Sequence, residues 1–278
     1  MATGPAEWQI LALGAFAGLT IFLGLLLGRQ GSLSARARAF LSALAAGILL
    51  FLFFDVLKNA NERIAVEIPA QGGGNGTLAV LYLVVLLAGW AIGFLSLAAF
   101  ERLYIAHLRR GHTSPAVAPG AGASLALDAL TISTMIAIGI GLHNFSEGLA
   151  IGTAYAGGAI AAGTVLVVGF ATHNATEGFG ILGPGLLAGR RYSWRRLGAL
   201  GLVGGGPTFL GTVVGGVFYS DALSILFFGL AAGAIVYVVL EMVRPLLAPD
   251  TRPAAWAGIV LGFALGLITD AIVSFGGG

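Results

Sequence analysis

The stretch GLHNFSEGLAIG, residues 141–152, places a histidine, an asparagine and a glutamate in a run otherwise made of lipid-compatible residues. Thirty residues later FATHNATEGFGI, residues 170–181, repeats the frame H-N-x-x-E-G inside a second apolar run. The setting makes this costly. Hydrophobic residues are 58% of the 278, charged residues only 9%, and the mean hydropathy is +0.96, whereas soluble domains carry about 25% charged residues. The apolar runs have the length of membrane-crossing helices, about 20 residues, and lack the alternation of a β-barrel strand. The expected fold class is an all-α integral membrane protein.

Apolar runs between charged or Pro/Gly-rich breaks predict eight spans, at about 8–28, 37–58, 77–104, 124–154, 159–188, 196–219, 222–244 and 254–275, forming one transmembrane domain over 1–278. The first is preceded by Glu7 and by no basic residue, so it reads as a true span rather than a cleaved signal. The Gly-, Ala- and Pro-rich segment at about 105–123 reads as a flexible cytoplasmic loop. Arg29, Arg36, Arg38, Arg102, Arg109, Arg110, Arg190, Arg191, Arg195, Arg196, Arg244 and Arg252 fall in the odd-numbered loops, against Lys58 and Arg63 on the other side. The positive-inside rule therefore puts the odd loops in the cytoplasm and both termini outside. Basic residues spread in this way are topology signals and do not form a nucleic-acid surface. The chain has no cysteine, which excludes disulfides, thiolate ligands and a cysteine nucleophile.

An internal repeat points to a transporter. AAGILLFLFFDVLKN (45–59) aligns without gaps with AAGAIVYVVLEMVRP (231–245), matching Asp55 with Glu241 and Lys58 with Arg244. The offset is five spans, an odd number, so the copies cross the membrane in opposite directions. Spans 1–3 and 6–8 are expected to form inverted repeats around a central hairpin of spans 4 and 5, a 3+2+3 arrangement with the substrate site near the midplane.

On a helix His143, Asn144 and Glu147 project from one side, and His173, Asn174 and Glu177 do the same on the next span. In an antiparallel hairpin turning near residues 155–159, residues whose numbers sum to about 316–320 lie level, and at the upper value His143 is level with Glu177, and Glu147 with His173. Both levels sit close to the membrane centre. A buried carboxylate there costs about 2.5–3.5 kcal/mol. Two glutamates neutralise one divalent cation, and imidazole with carboxylate suits zinc, iron, manganese, nickel or cobalt better than calcium or magnesium. The alternative for either motif alone is a His–Glu hydrogen bond stapling two helices. His107 and His112, beside Arg109 and Arg110, read as solvated, with weak metal capture on the cytoplasmic side as the second reading. Asp55 and Glu241 carry two readings, acids that draw cations in and out or interfacial anchors paired with Lys58 and Arg244. Asp128 and Asp270 have no assigned role.

These motifs and this topology resemble the ZIP (Zrt/Irt-like) family of divalent-metal transporters across essentially the whole chain. Family members show H-N-x-P-E-G on span 4 and a related motif on span 5. The resemblance implies that His143, Glu147, His173 and Glu177 hold the transported metal with Asn144 and Asn174 as neighbouring ligands, and that zinc or a related ion moves toward the cytoplasm through a carrier, commonly dimeric, in the cell membrane. It implies no prosthetic group and no enzymatic activity. Two departures stand out: Ser146 and Thr176 replace the motif proline, and Gly206 precedes Pro207 where many members carry an acid of a second metal position, so one principal site is expected. Two further readings share the residues, a proton-conducting channel or exchanger using the His/Glu relay and an intramembrane metal-dependent enzyme. The latter usually needs H-E-x-x-H, and asparagine follows both histidines here.

Overall fold

A computed structural model describes residues 7–26, 34–69, 73–111, 129–156, 160–218, 220–247 and 249–276. The described residues form helices and connecting turns: α1 (Glu7–Leu19), α2 (Ile21–Leu25), α3 (Ala35–Val66), α4 (Gly76–Gly111), α5 (Ala129–Ala156), α6 (Ile160–Leu187), α7 (Trp194–Val217), α8 (Asp221–Val243), a 3-10 turn Arg244–Leu247, and α9 (Arg252–Gly276). Seven stretches among them are long and apolar enough to cross a membrane, namely Trp8–Leu25, α3, Gly76–Leu103 of α4, α5, α7, α8 and Arg252–Ala271 of α9. The chain is an integral, multi-pass membrane protein. Helix α6, with 28 residues, has the length of a span and packs against α1, α2, α3, α5 and α9.

Local chemistry sets several ends. Ser34, Ser193 and Ser220 cap α3, α7 and α8 by accepting from the amides of Ala37, Arg196 and Leu223, which satisfies donors a first helical turn leaves open. The first span is broken at Thr20, whose hydroxyl donates to the Ala17 carbonyl at 2.7 Å, a back-bond that competes with the helical ladder.

Two boundaries differ from expectation. The second span continues as helix to Val66, eight residues beyond its expected end at 58, so Arg63 lies on a helix and not in a loop. Two polar residues of the extension, Asn59 and Arg63, line a cavity described below. The expected loop at 105–123 also begins late, since α4 runs to Gly111. His107 lies on α4, with its side chain outside the described residues. The rest of that loop, with His112, falls outside them too, as does Asp128 at the expected start of the fourth span.

Helix contacts recur with constant offsets. An added Cβ at Gly47 of α3 meets the Ile259 carbonyl of α9, and one at Gly233 of α8 meets the Trp90 carbonyl of α4. Adding 186 to 47 gives 233, and adding 169 to 90 gives 259. The same two offsets turn the meeting of Gly89 with the Leu226 carbonyl into that of Gly258 with the Phe40 carbonyl. They also turn the Phe94–Tyr237 edge contact, 5.6 Å between centroids, into Phe263–Phe51, 5.9 Å. Glycine at these points lets the backbones approach where any side chain would hold them apart. On the hairpin side, Gly148 of α5 abuts the Thr208 carbonyl of α7, and Gly178 of α6 abuts the Ile21 carbonyl of α2. The offsets there are 30 from α5 to α6 and 187 from 21 to 208.

Candidate metal site in the α5–α6 hairpin

His143, Asn144 and Glu147 of α5 and Asn174 and Glu177 of α6 are all buried, none more than 4% exposed. Nε2 of His143 lies 3.0 Å from Glu147 Oε1 on its own helix and 4.0 Å from Glu177 Oε1 across the hairpin. His143 and Glu177 are the pair whose numbers sum to 320, so the hairpin has the register at the upper end of the expected range. His173 lies on α6 one turn before Glu177, and its side chain falls outside the described residues. Among the described residues no three His, Asp or Glu side chains close tightly enough to complete a metal-ion shell in this conformation.

The asparagines are oriented from behind. Asn144 Nδ2 donates to the Gly204 carbonyl of α7 at 3.0 Å, and Asn174 Nδ2 donates to the Ala17 carbonyl of α1 at 2.9 Å. These bonds are equivalents, since 144 plus 30 is 174 and 17 plus 187 is 204. Each accepting helix is weakened at the matching place. Thr20 interrupts the first span, and Pro207, 187 residues later, has no amide hydrogen to donate to the turn before it. With the amide nitrogens engaged, Oδ1 of both asparagines is left without a hydrogen-bond partner, as is Oε2 of Glu147. Buried unpaired acceptors are expensive, and carboxylate and amide oxygens are donor types that hold divalent cations.

A cavity of about 430 Å³ leads away from the site, lined by His143, Ser146, Glu147, Ala150, Thr153 and Ala154 of α5, Leu166 and Phe170 of α6, Asp55, Asn59 and Arg63 of α3, and Asp221 and Phe228 of α8. The α5 residues fall at i, i+3, i+4, i+7, i+10 and i+11, one face of a helix. On the other side of the glutamates along these helices, Leu49, Leu52, Ile136, Ile140, Ile181 and Leu182 pack into one buried apolar cluster. Among the described residues the cavity leads from the site toward the end of α5 that carries Ala154 and the start of α8 at Asp221.

The structure separates the two flanking acids. Asp55 lines the cavity and is near enough to act electrostatically on His143, Glu147 and Glu177. Its neighbour Lys58 instead reaches Asp270 of α9, Nζ to Oδ2 at 4.0 Å. Glu241 stands apart from the cavity with Arg244, 3.4 Å away, close to the Tyr237 hydroxyl that donates to Glu101. Ser146, in the place of the family's proline, lines the cavity with its hydroxyl unpartnered, so it does not bend α5 through a back-bond. The side chain of Thr176 lies outside the described residues. At Gly206 an added Cβ meets no atom within 4 Å.

Sequence reasoning missed Asn59, Arg63 and Asp221 as cavity residues. It also missed the companions of the α3/α8 repeat, although the signal was available. Glycines at 14, 18, 24 and 28 recur at 201, 205, 211 and 215, and GWAIGF (89–94) recurs as GIVLGF (258–263). A comparison with known families finds that a sequence model described as "ZIP Zinc transporter" matches residues 106–270, more than half of the chain, including both H-N-x-x-E-G motifs.

Proposed function

Since the chain belongs to the ZIP zinc transporter family, whose members move divalent metal ions across membranes, we propose that it is a carrier taking zinc or a related transition-metal ion toward the cytoplasm through the α5–α6 hairpin. The ion is substrate and is held by His143, Glu147, His173 and Glu177, with the carbonyl oxygens of Asn144 and Asn174 beside it. The observation that carries this reading is the buried set itself. Glu147 and Glu177 lie against one imidazole, and three further acceptor oxygens lack hydrogen-bond partners. Two carboxylates cancel the ion's charge, and mixed nitrogen and oxygen donors suit zinc.

The chain is arranged as eight spans in a 3+2+3 pattern, with α1 to α4 and α7 to α9 as inverted repeats around the hairpin. Support comes from the constant offsets, of which 186 and 169 relate helix contacts that lie outside the motifs. Inverted repeats place the substrate at their interface and let the site face either side in turn. The basic residues of the odd loops place both termini outside, which makes the face reached by the cavity the outer one. Asp55 then draws cations in, and Glu241, its equivalent, serves the other side. Glu147→Ala is expected to abolish radioactive zinc uptake into proteoliposomes while the protein stays folded. Uptake at the wild-type rate would sink the assignment.

A further inference from the structure

At the mouth of the cavity Arg63 Nη1 lies 2.8 Å from Asp221 Oδ1, with the two side chains 27% and 45% exposed. The guanidinium sits over the Phe228 ring, 5.8 Å from its centroid, an arrangement that favours a cation at that spot. Asp55, Asn59 and Arg63 follow one another at intervals of four along one face of α3, so the pair stands about 12 Å outward from Asp55. The formal charge along the path therefore runs from zero at the rim, through one carboxylate at Asp55, to two at Glu147 and Glu177.

The repeat supplies an internal comparison. Subtracting 186 from 221 gives Ala35, which cannot carry charge, and α8 ends at Val243, short of any equivalent of Arg63. The pair therefore belongs to one half alone and is no requirement of the repeated architecture.

We propose that Arg63 sets the cavity mouth's affinity for cations. By neutralising Asp221 it keeps a half-exposed carboxylate from capturing the ion at the rim, so that capture takes place at Asp55 and beyond. This rests on the cavity being the path of the metal. Exposing Asp221 would raise the local cation concentration and hold the ion where it cannot be transported. Removing Asp221 would leave a lone positive charge in the way.

The test is zinc uptake kinetics for Arg63→Gln, Asp221→Asn and the double variant, with intact cells and inverted vesicles presenting the two faces. From the face that carries the cavity, Arg63→Gln is expected to lower KM about threefold to tenfold at about 10 mM salt and to lower the maximal rate. Asp221→Asn is expected to raise KM by a similar factor, and both shifts should shrink toward none at about 1 M salt. The double variant should lie within about twofold of wild type, and Arg63→Lys should restore it. Removal of a merely structural ion pair would move both single variants in the same direction. That result, shifts indifferent to salt, or equal shifts from both faces overturn the proposal. If one single variant fails to fold, the double variant still decides, because a KM change of about tenfold there is equally fatal. Glu147→Gln separates the two claims. If it transports normally the metal path itself is wrong, and if it is inactive while Arg63→Gln leaves KM untouched, only the role of Arg63 is lost.

Discussion

Replacing Gly148 by alanine tests how tightly the site depends on helix contact. A Cβ at Gly148 meets the Thr208 carbonyl oxygen, with Thr212 N at 2.8 Å and Gly211 Cα at 2.9 Å. All three are backbone atoms of α7 and cannot rotate away. Ordinary contact lies near 3.5 Å, so α5 must move off α7 by about 0.6 Å or more. The overpacking costs about 1–3 kcal/mol. Glu147 is the adjacent residue and moves with the helix, and displacement of a reacting or binding group by about 1 Å can cost about 100-fold in rate. Gly148→Ala is therefore expected to slow zinc uptake about 10- to 100-fold with a lowered melting temperature, and Gly178→Ala, whose Cβ meets the Ile21 carbonyl and Leu25 N at 3.1 Å, should match it. Gly198→Ala and Gly216→Ala, where no atom lies within 4 Å, should be neutral or slightly stabilising, since alanine is the better helix former by about 1 kcal/mol. Initial uptake rates and thermal melts on the same preparations read both effects. Wild-type behaviour of Gly148→Ala and Gly178→Ala, or equal damage at Gly198, would refute the argument from close packing.

Three other outcomes follow from named contacts. Asn144→Leu and Asn174→Leu each remove an amide that donates to a backbone carbonyl. Each should weaken zinc binding about 10- to 100-fold, the range for groups that orient a metal site, and an effect confined to one of them would contradict their equivalence. Tyr192→Phe deletes a buried hydroxyl 2.7 Å from Ser133 Oγ; it should lower stability by about 1 kcal/mol in a thermal melt without altering the KM for zinc. Asp55→Asn should raise KM at low salt more than Glu241→Gln does when zinc is offered from the face that carries the cavity, because only Asp55 lines it. Equal shifts would undo that distinction.

The hairpin was legible in the sequence because little is free in it. A fixed rise per residue and a short turn determine which residues lie level, and His143 accordingly meets Glu177. The repeat showed itself in α3 and α8, where an acid and a base recur, and went unnoticed in the other pairs. What recurs there is chiefly glycine against a carbonyl, and in this chain glycine is everywhere, 45 in 278. The Arg63–Asp221 pair was not legible. Its members are 158 residues apart on helices joined by no short turn, and the hydropathy pattern ended the second span before Arg63. Nor could composition choose between the readings of Asp55 and Glu241. The choice depends on which face carries the cavity in this conformation, and their sequence surroundings are nearly alike.

The most direct test of the hairpin as the metal's site is zinc K-edge X-ray absorption on the loaded protein, wild type beside Glu147→Gln/Glu177→Gln. The account predicts nitrogen and oxygen ligands at about 2.0–2.2 Å with the signature of imidazole, lost in the double variant. An oxygen-only shell without imidazole, or an unchanged spectrum in the double variant, would contradict it.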